Sequence, residues 1–121
     1  MEPRILIVDD SPLIRELLQT CFESEPGWQV CGEAGNGEEA IEKAKELQPD
    51  LIVLDLSMPV MNGLEAARAL SKLVPSVPLV MYTSSPTHRL ENEALAAGVS
   101  RVILKSELFT DLIPCVRSLT M

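Results

Sequence analysis

At 121 residues and 13.2 kDa the chain is long enough to bury one hydrophobic core and too short for a second; 46% hydrophobic and 23% charged residues suit a soluble globular domain. A formal net charge of -8 argues against this chain gripping a phosphate backbone by itself, because nucleic-acid affinity rests on Lys and Arg displacing counterions. No apolar run is long enough to span a bilayer, and no signal-peptide pattern precedes the first strand. Cys21, Cys31 and Cys115 include no C-x-x-C pair, which favours reduced thiols over disulfides or zinc. A cytoplasmic protein, off the membrane, is expected.

Arg4 to Val8 is a short β-branched run that stops at Asp9 and Asp10. Ser11-Pro12 opens a helix with Ser11 or Asp10 as cap, and Ile14, Leu17, Leu18, Cys21 and Phe22 follow at helical spacing to face the sheet. Trp28 to Gly32 reads as a second strand. Gly35-Asn36-Gly37 then turns into a helix with Ala40, Ile41, Ala44 and Leu47 on its apolar side. Gly35 to Ala40 formally matches a G-x-G-x-x-A dinucleotide pattern, but Glu38 and Glu39 would repel a pyrophosphate there.

The third strand, Leu51 to Asp55, is apolar without interruption until its closing carboxylate, the pattern of a strand covered on both faces of a parallel sheet. Asn62-Gly63 starts a third helix. Leu79 to Tyr82 is a fourth strand ending at Thr83, and Ser85-Pro86 repeats the cap-then-proline device ahead of a weaker helix with Leu90, Ala94 and Ala97. That helix, containing a solvated His88, is expected to end at Gly98 and to be the most mobile. Arg101 to Leu104 is a fifth strand closing at Lys105. In the last helix Pro114 falls inside the apolar pattern of Leu112, Cys115, Val116 and Leu119, which predicts either a late start, capped by Thr110 or Asp111, or a kink at the proline, the late start being favoured.

Five alternations of strand and helix predict an α/β fold: a flavodoxin-like, doubly wound, five-stranded parallel sheet in the order 2-1-3-4-5, helices on both faces. In that order the first and third strands are neighbours, roughly 5 Å apart, so Asp9, Asp10 and Asp55 crowd one crevice. Mutually repelling carboxylates keep a proton or take a cation, and Mg²⁺ suits oxygen ligands with phosphate oxygens completing its shell. Thr83 and Lys105 bring a hydroxyl and a positive charge to the same edge. These are the parts of phosphoryl transfer, with Asp55 as nucleophile.

With Asp9-Asp10, Asp55-Leu-Ser-Met-Pro-Val-Met-Asn-Gly63, Thr83-Ser84 and Lys105 in this order, the chain resembles a response-regulator receiver domain from Arg4 to Leu119. The resemblance implies that Asp55 accepts a phosphoryl group from a phosphohistidine on a sensor histidine kinase or phosphotransfer protein. It implies Mg²⁺ held by Asp10, Asp55 and the Ser57 carbonyl, with Asp9 nearby through water. It also implies that Thr83 and Lys105 hold the phosphoryl oxygens, and that movement of Thr83 carries the signal to the fourth helix, fifth strand and fifth helix. That edge, around Arg89, Leu90, Val99, Arg101 and Val102, is a candidate face for a homodimer or partner.

Val102 stands where the family usually has an aromatic residue, so an aromatic rotamer switch is absent. Ser106 stands where many relatives have proline; a cis bond there would cost about 3–4 kcal/mol. Small, neutral Ser57 and Ser85 flank the expected phosphoryl position and leave room for attacking water. The wording after Asp55 is that of receivers fused to helix-turn-helix outputs. Residues 1–121 are nonetheless expected to be a single receiver domain without an output domain. The rival readings are a receiver-like interaction module working without phosphorylation and, more distantly, a Mg²⁺-dependent phosphohydrolase. The latter would need a second acid where Ser57 stands. Any enzymatic activity is expected to be confined to self-phosphorylation and self-dephosphorylation.

Overall fold

Alternation of side chains along the strands builds two cores from one sheet. In the computed structural model, which describes residues 3–120, strands β1 (Arg4–Val8), β2 (Gln29–Ala34), β3 (Leu51–Asp55), β4 (Leu79–Thr83) and β5 (Arg101–Leu104) alternate with five helices. These are α1 (Pro12–Glu23), α2 (Gly37–Leu47), α3 (Gly63–Leu73), α4 (His88–Ala96) and α5 (Leu108–Thr120). All pairings are parallel and the order is β2-β1-β3-β4-β5, as the alternation predicts.

Leu6, Val8, Ile52, Leu54, Leu79 and Met81 join the small side chains Ala40, Ala44, Ala66, Ala67 and Ala94 of α2, α3 and α4 in one core. Ile5, Ile7, Leu51, Val53, Val80 and Tyr82 join Leu18 and Phe22 of α1 and Leu108, Leu112 and Val116 of α5 in the other. Burying one large aliphatic side chain stabilises by about 1.5–3 kcal/mol, and a one-residue slip would send every strand side chain to the wrong layer. Leu17, expected to face the sheet, is exposed. The buried residues of α1 are Leu18 and Phe22, one turn apart, and Leu17 falls off their line.

Three elements differ in extent from the sequence reading. β2 begins one residue later than predicted and runs to Ala34. Its register against β1 jumps from Ile5↔Val30 to Leu6↔Gly32, so Cys31 is an extra residue in a bulge. α4 is capped by Thr87, whose Oγ1 accepts from the Leu90 N–H at 3.1 Å, and not by Ser85. The Ser85 N–H turns back to Thr83 Oγ1 at 3.3 Å, and Ser85-Pro86 lies outside the helix. α5 starts at Leu108, directly after a 3-10 turn at Lys105–Glu107, with Pro114 in its interior. Seating both Leu108 and Leu112 in the core requires helix from Leu108 onward, which overrides the late start. Pro114 and Thr110, whose carbonyl the proline leaves unpaired, are exposed, so water can satisfy that carbonyl.

Gly98 ends α4 as expected, at φ 102°. Among the described residues no helix is long and apolar enough to cross a membrane. The cysteines are free and half-buried, and burial pushes all three thiols up, away from the reactive thiolate form.

Candidate functional site

Parallel register brings the carboxyl ends of four strands to one edge. Val8 pairs with Leu54, Asp55 with Tyr82, and Thr83 with Leu104, so the residues that close or follow β1, β3, β4 and β5 lie side by side. Asp9 is 1% exposed and Asp55 4%, while Asp10 is exposed. One carboxylate oxygen from each of the three lies within 4.8 Å of the others. Lys105 Nζ stands 3.8 Å from Asp55 Oδ2, and the Ser57 N–H donates to Asp55 Oδ1 at 3.3 Å. Thr83 is buried at the same edge, and Ser57 is exposed two residues beyond Asp55. The structure therefore brings the expected acids and lysine together, with Thr83 and Ser57 beside them.

Burial pushes the Asp55 carboxyl above the usual carboxylate range, and the Asp9 charge adds to this; Lys105 pulls the other way. Three hard oxygen donors with more negative charge than one lysine offsets are a donor set that fits Mg²⁺. The loop that carries Ser57 is held at its far end by Gly63, whose N–H donates to the Leu56 carbonyl at 2.8 Å. A Cβ on Gly63 would lie 2.6 Å from the Asp55 carbonyl oxygen, so only glycine permits this approach. Asn62 and Glu65 close a reciprocal capping box on α3 just after it. An open cleft of about 650 Å³, lined in part by Asp10, Ser57, Met58, Asn62 and Leu90, adjoins the acids.

Two residues at this edge have roles that the sequence did not predict. Tyr82, fully buried, donates its hydroxyl to Asp9 Oδ2, and Lys105 Nζ lies 5.9 Å from its ring centroid. Burial, then the hydrogen bond to Asp9, push the Tyr82 phenol far above its ordinary range, so it stays a donor. Arg15 donates Nη1 to the Asp9 carbonyl at 2.7 Å and pairs through Nε with Glu33 at 3.0 Å. A tyrosine in an otherwise aliphatic buried strand was the available signal, since a buried phenol needs a partner. Val102 is half-buried against the core layer of α2, α3 and α4. Among the described residues there is no cis peptide bond, so Lys105-Ser106 is trans.

The family model for the response regulator receiver domain matches residues 5–117. The chain belongs to this family. The receiver is 38% identical over 105 residues to the chemotaxis protein CheY of Thermotoga maritima, covering 87% of each chain. It is 40% identical over 102 residues to the transcriptional regulatory protein LnrK of Bacillus subtilis, covering 84% of the receiver but only 46% of LnrK. Among solved structures it superposes on the response regulator domain of Thermotoga maritima CheB with a TM-score of 0.92 at 32% identity, over 99% and 97% of the two chains. A CheX-CheY-BeF3-Mg²⁺ complex from Borrelia burgdorferi is similar at a TM-score of 0.91 and 28% identity, over 98% of the receiver and 89% of that chain. Phosphorylation-dependent switching in two-component signalling is the general function of receivers, and they generally bind Mg²⁺ at an acidic cluster like this one.

Proposed function

We propose that the receiver is a phosphorylation-dependent switch in which Asp55 is the phosphoryl acceptor. The observation that carries this reading is the convergence of Asp9, Asp10 and Asp55 within 4.8 Å, with Lys105 3.8 Å from the Asp55 carboxylate. An Asp55 oxygen attacks phosphorus, the bond from phosphorus to the donor imidazole nitrogen breaks, and the electron pair leaves with that nitrogen. Lys105 and the Thr83 hydroxyl take the phosphoryl oxygens. Asp10, Asp55 and the Ser57 carbonyl would hold Mg²⁺, with Asp9 behind them. When bound, the ion supplies positive charge against the carboxylates and the phosphoryl oxygens.

The donor is a sensor histidine kinase or phosphotransfer protein, and the setting is the cytoplasm. The output face is α4, β5 and α5, where Leu95 is 57% exposed beside a shallow hollow lined by Glu91, Ser100, Arg101 and Val102. This face suits a partner or a second copy; with a net charge of -8 the domain makes no direct nucleic-acid contact. The receiver spans 46% of LnrK and 31% of a protein-glutamate methylesterase of Methanosarcina acetivorans.

Mass spectrometry after incubation with acetyl phosphate and Mg²⁺ tests it. One phosphoryl adduct is expected, absent in Asp55→Asn. An adduct that survives that substitution moves the acceptor elsewhere. No adduct from either acetyl phosphate or a phosphorylated histidine kinase favours the phosphorylation-independent module, to which the non-aromatic Val102 also points.

A further inference from the structure

Tyr82, the chain's single tyrosine, belongs to none of the roles assigned above, yet among the described residues it makes the one side-chain hydrogen bond that crosses the site. It stands on β4, Asp9 follows β1, and β3 lies between them. The phenol therefore reaches over the strand that bears Asp55 to find Asp9. Both Asp9 oxygens are engaged as a result: Oδ1 accepts from the Ser11 N–H at 2.8 Å and Oδ2 from Tyr82. The Asp10 carboxylate accepts no hydrogen bond among the described residues, and Asp55 accepts only the longer one from Ser57. Protein donors are thus concentrated on the acid farthest from water.

We propose that Tyr82 is a positioning residue that restrains Asp9 and tempers its charge, and that it thereby weakens the acid cluster's hold on Mg²⁺. This rests on the reading of that cluster as a divalent-ion site. A donor to a buried carboxylate stabilises it most while no cation is present, because a cation draws on the same electron density. Removing the donor raises the free energy of the ion-free cluster more than that of the ion-bound one, so the ion binds more tightly.

The test is Mg²⁺ titration by isothermal calorimetry on the unphosphorylated wild type, Tyr82→Phe, Asp9→Asn and the double variant. Phe keeps the ring and its packing against the α1–α5 core, and circular dichroism checks the fold. Tyr82→Phe should tighten Mg²⁺ binding by about fivefold to tenfold, a part of what one hydrogen bond to a charged group contributes. In the Asp9→Asn background the same change should leave the affinity as it was, an outcome that a general loosening of the structure would not give. Unchanged or weaker binding in Tyr82→Phe alone, or an equal effect in both backgrounds, overturns the role of Tyr82 while leaving the ion site standing. A wild type that takes up no Mg²⁺ removes the site, and this inference with it.

Discussion

Asp55 is buried beside another carboxylate, and the ammonium 3.8 Å away offsets only part of the cost, so its pKa lies above the ordinary range. A carboxyl that binds its proton more readily folded than unfolded makes stability fall as pH rises from the ordinary carboxylate range through the raised value. At neutral pH the charged form is therefore a burden on the fold. Asp55→Asn should raise Tm in chelator-treated buffer at neutral pH by about 3–6 °C, the shift that roughly 1 kcal/mol produces in a domain of this size. The gain should shrink as the buffer is acidified. An unchanged or lower Tm at neutral pH, read by calorimetry, would show that the Lys105 pair outweighs burial and repulsion. Asp9, Asp10, Asp55, Thr83 and Lys105 were legible because each closes or follows an apolar strand. Tyr82 was not, because a tyrosine is an ordinary strand former and its partner lies two strands away.

At the scale of elements, the two Ser-Pro pairs show what local sequence decides and what it leaves open. Ser11 caps α1, its Oγ accepting from the Ile14 N–H at 3.3 Å, whereas α4 is capped by Thr87 and not by Ser85. In both places the serine N–H turns back two residues, Ser11 to Asp9 and Ser85 to Thr83; what differs is the residue after the proline, Leu13 against Thr87, which has a hydroxyl to cap with. Of α4, only Ala94 is fully buried, so the cap carries a large share of what holds this helix. Thr87→Ala should cost about 1 kcal/mol and raise amide exchange in His88 to Leu90 before it affects α3. Equal exchange in wild type and variant would mean that the cap contributes nothing. The start of α5 was misread for a related reason. Proline preference is a local rule worth about 3 kcal/mol, and the joint burial of Leu108, Leu112 and Val116 outweighs it.

Over the whole molecule the strand count, order and parallel sense all followed from the strand–helix alternation, because right-handed crossovers leave few ways to wind such a chain. If the acids hold Mg²⁺ only in the folded state, the ion stabilises the entire domain by mass action. Tm should rise with Mg²⁺, by the equivalent of about 2.7 kcal/mol at a hundred times the dissociation constant, and fall back with chelator. Asp55→Asn should blunt that response, and a Tm indifferent to Mg²⁺ in the wild type would contradict it. The bulge at Cys31 has a consequence at this scale as well. β2 is one of the two outermost strands, and an open border of unpaired amides invites a stranger's strand to add on. With Cys31 inserted and its Sγ directed at the Ile5 carbonyl 3.5 Å away, that border is bent midway. An incoming chain would lose step after a few residues, so sheet growth from this side is stopped by one surplus amino acid.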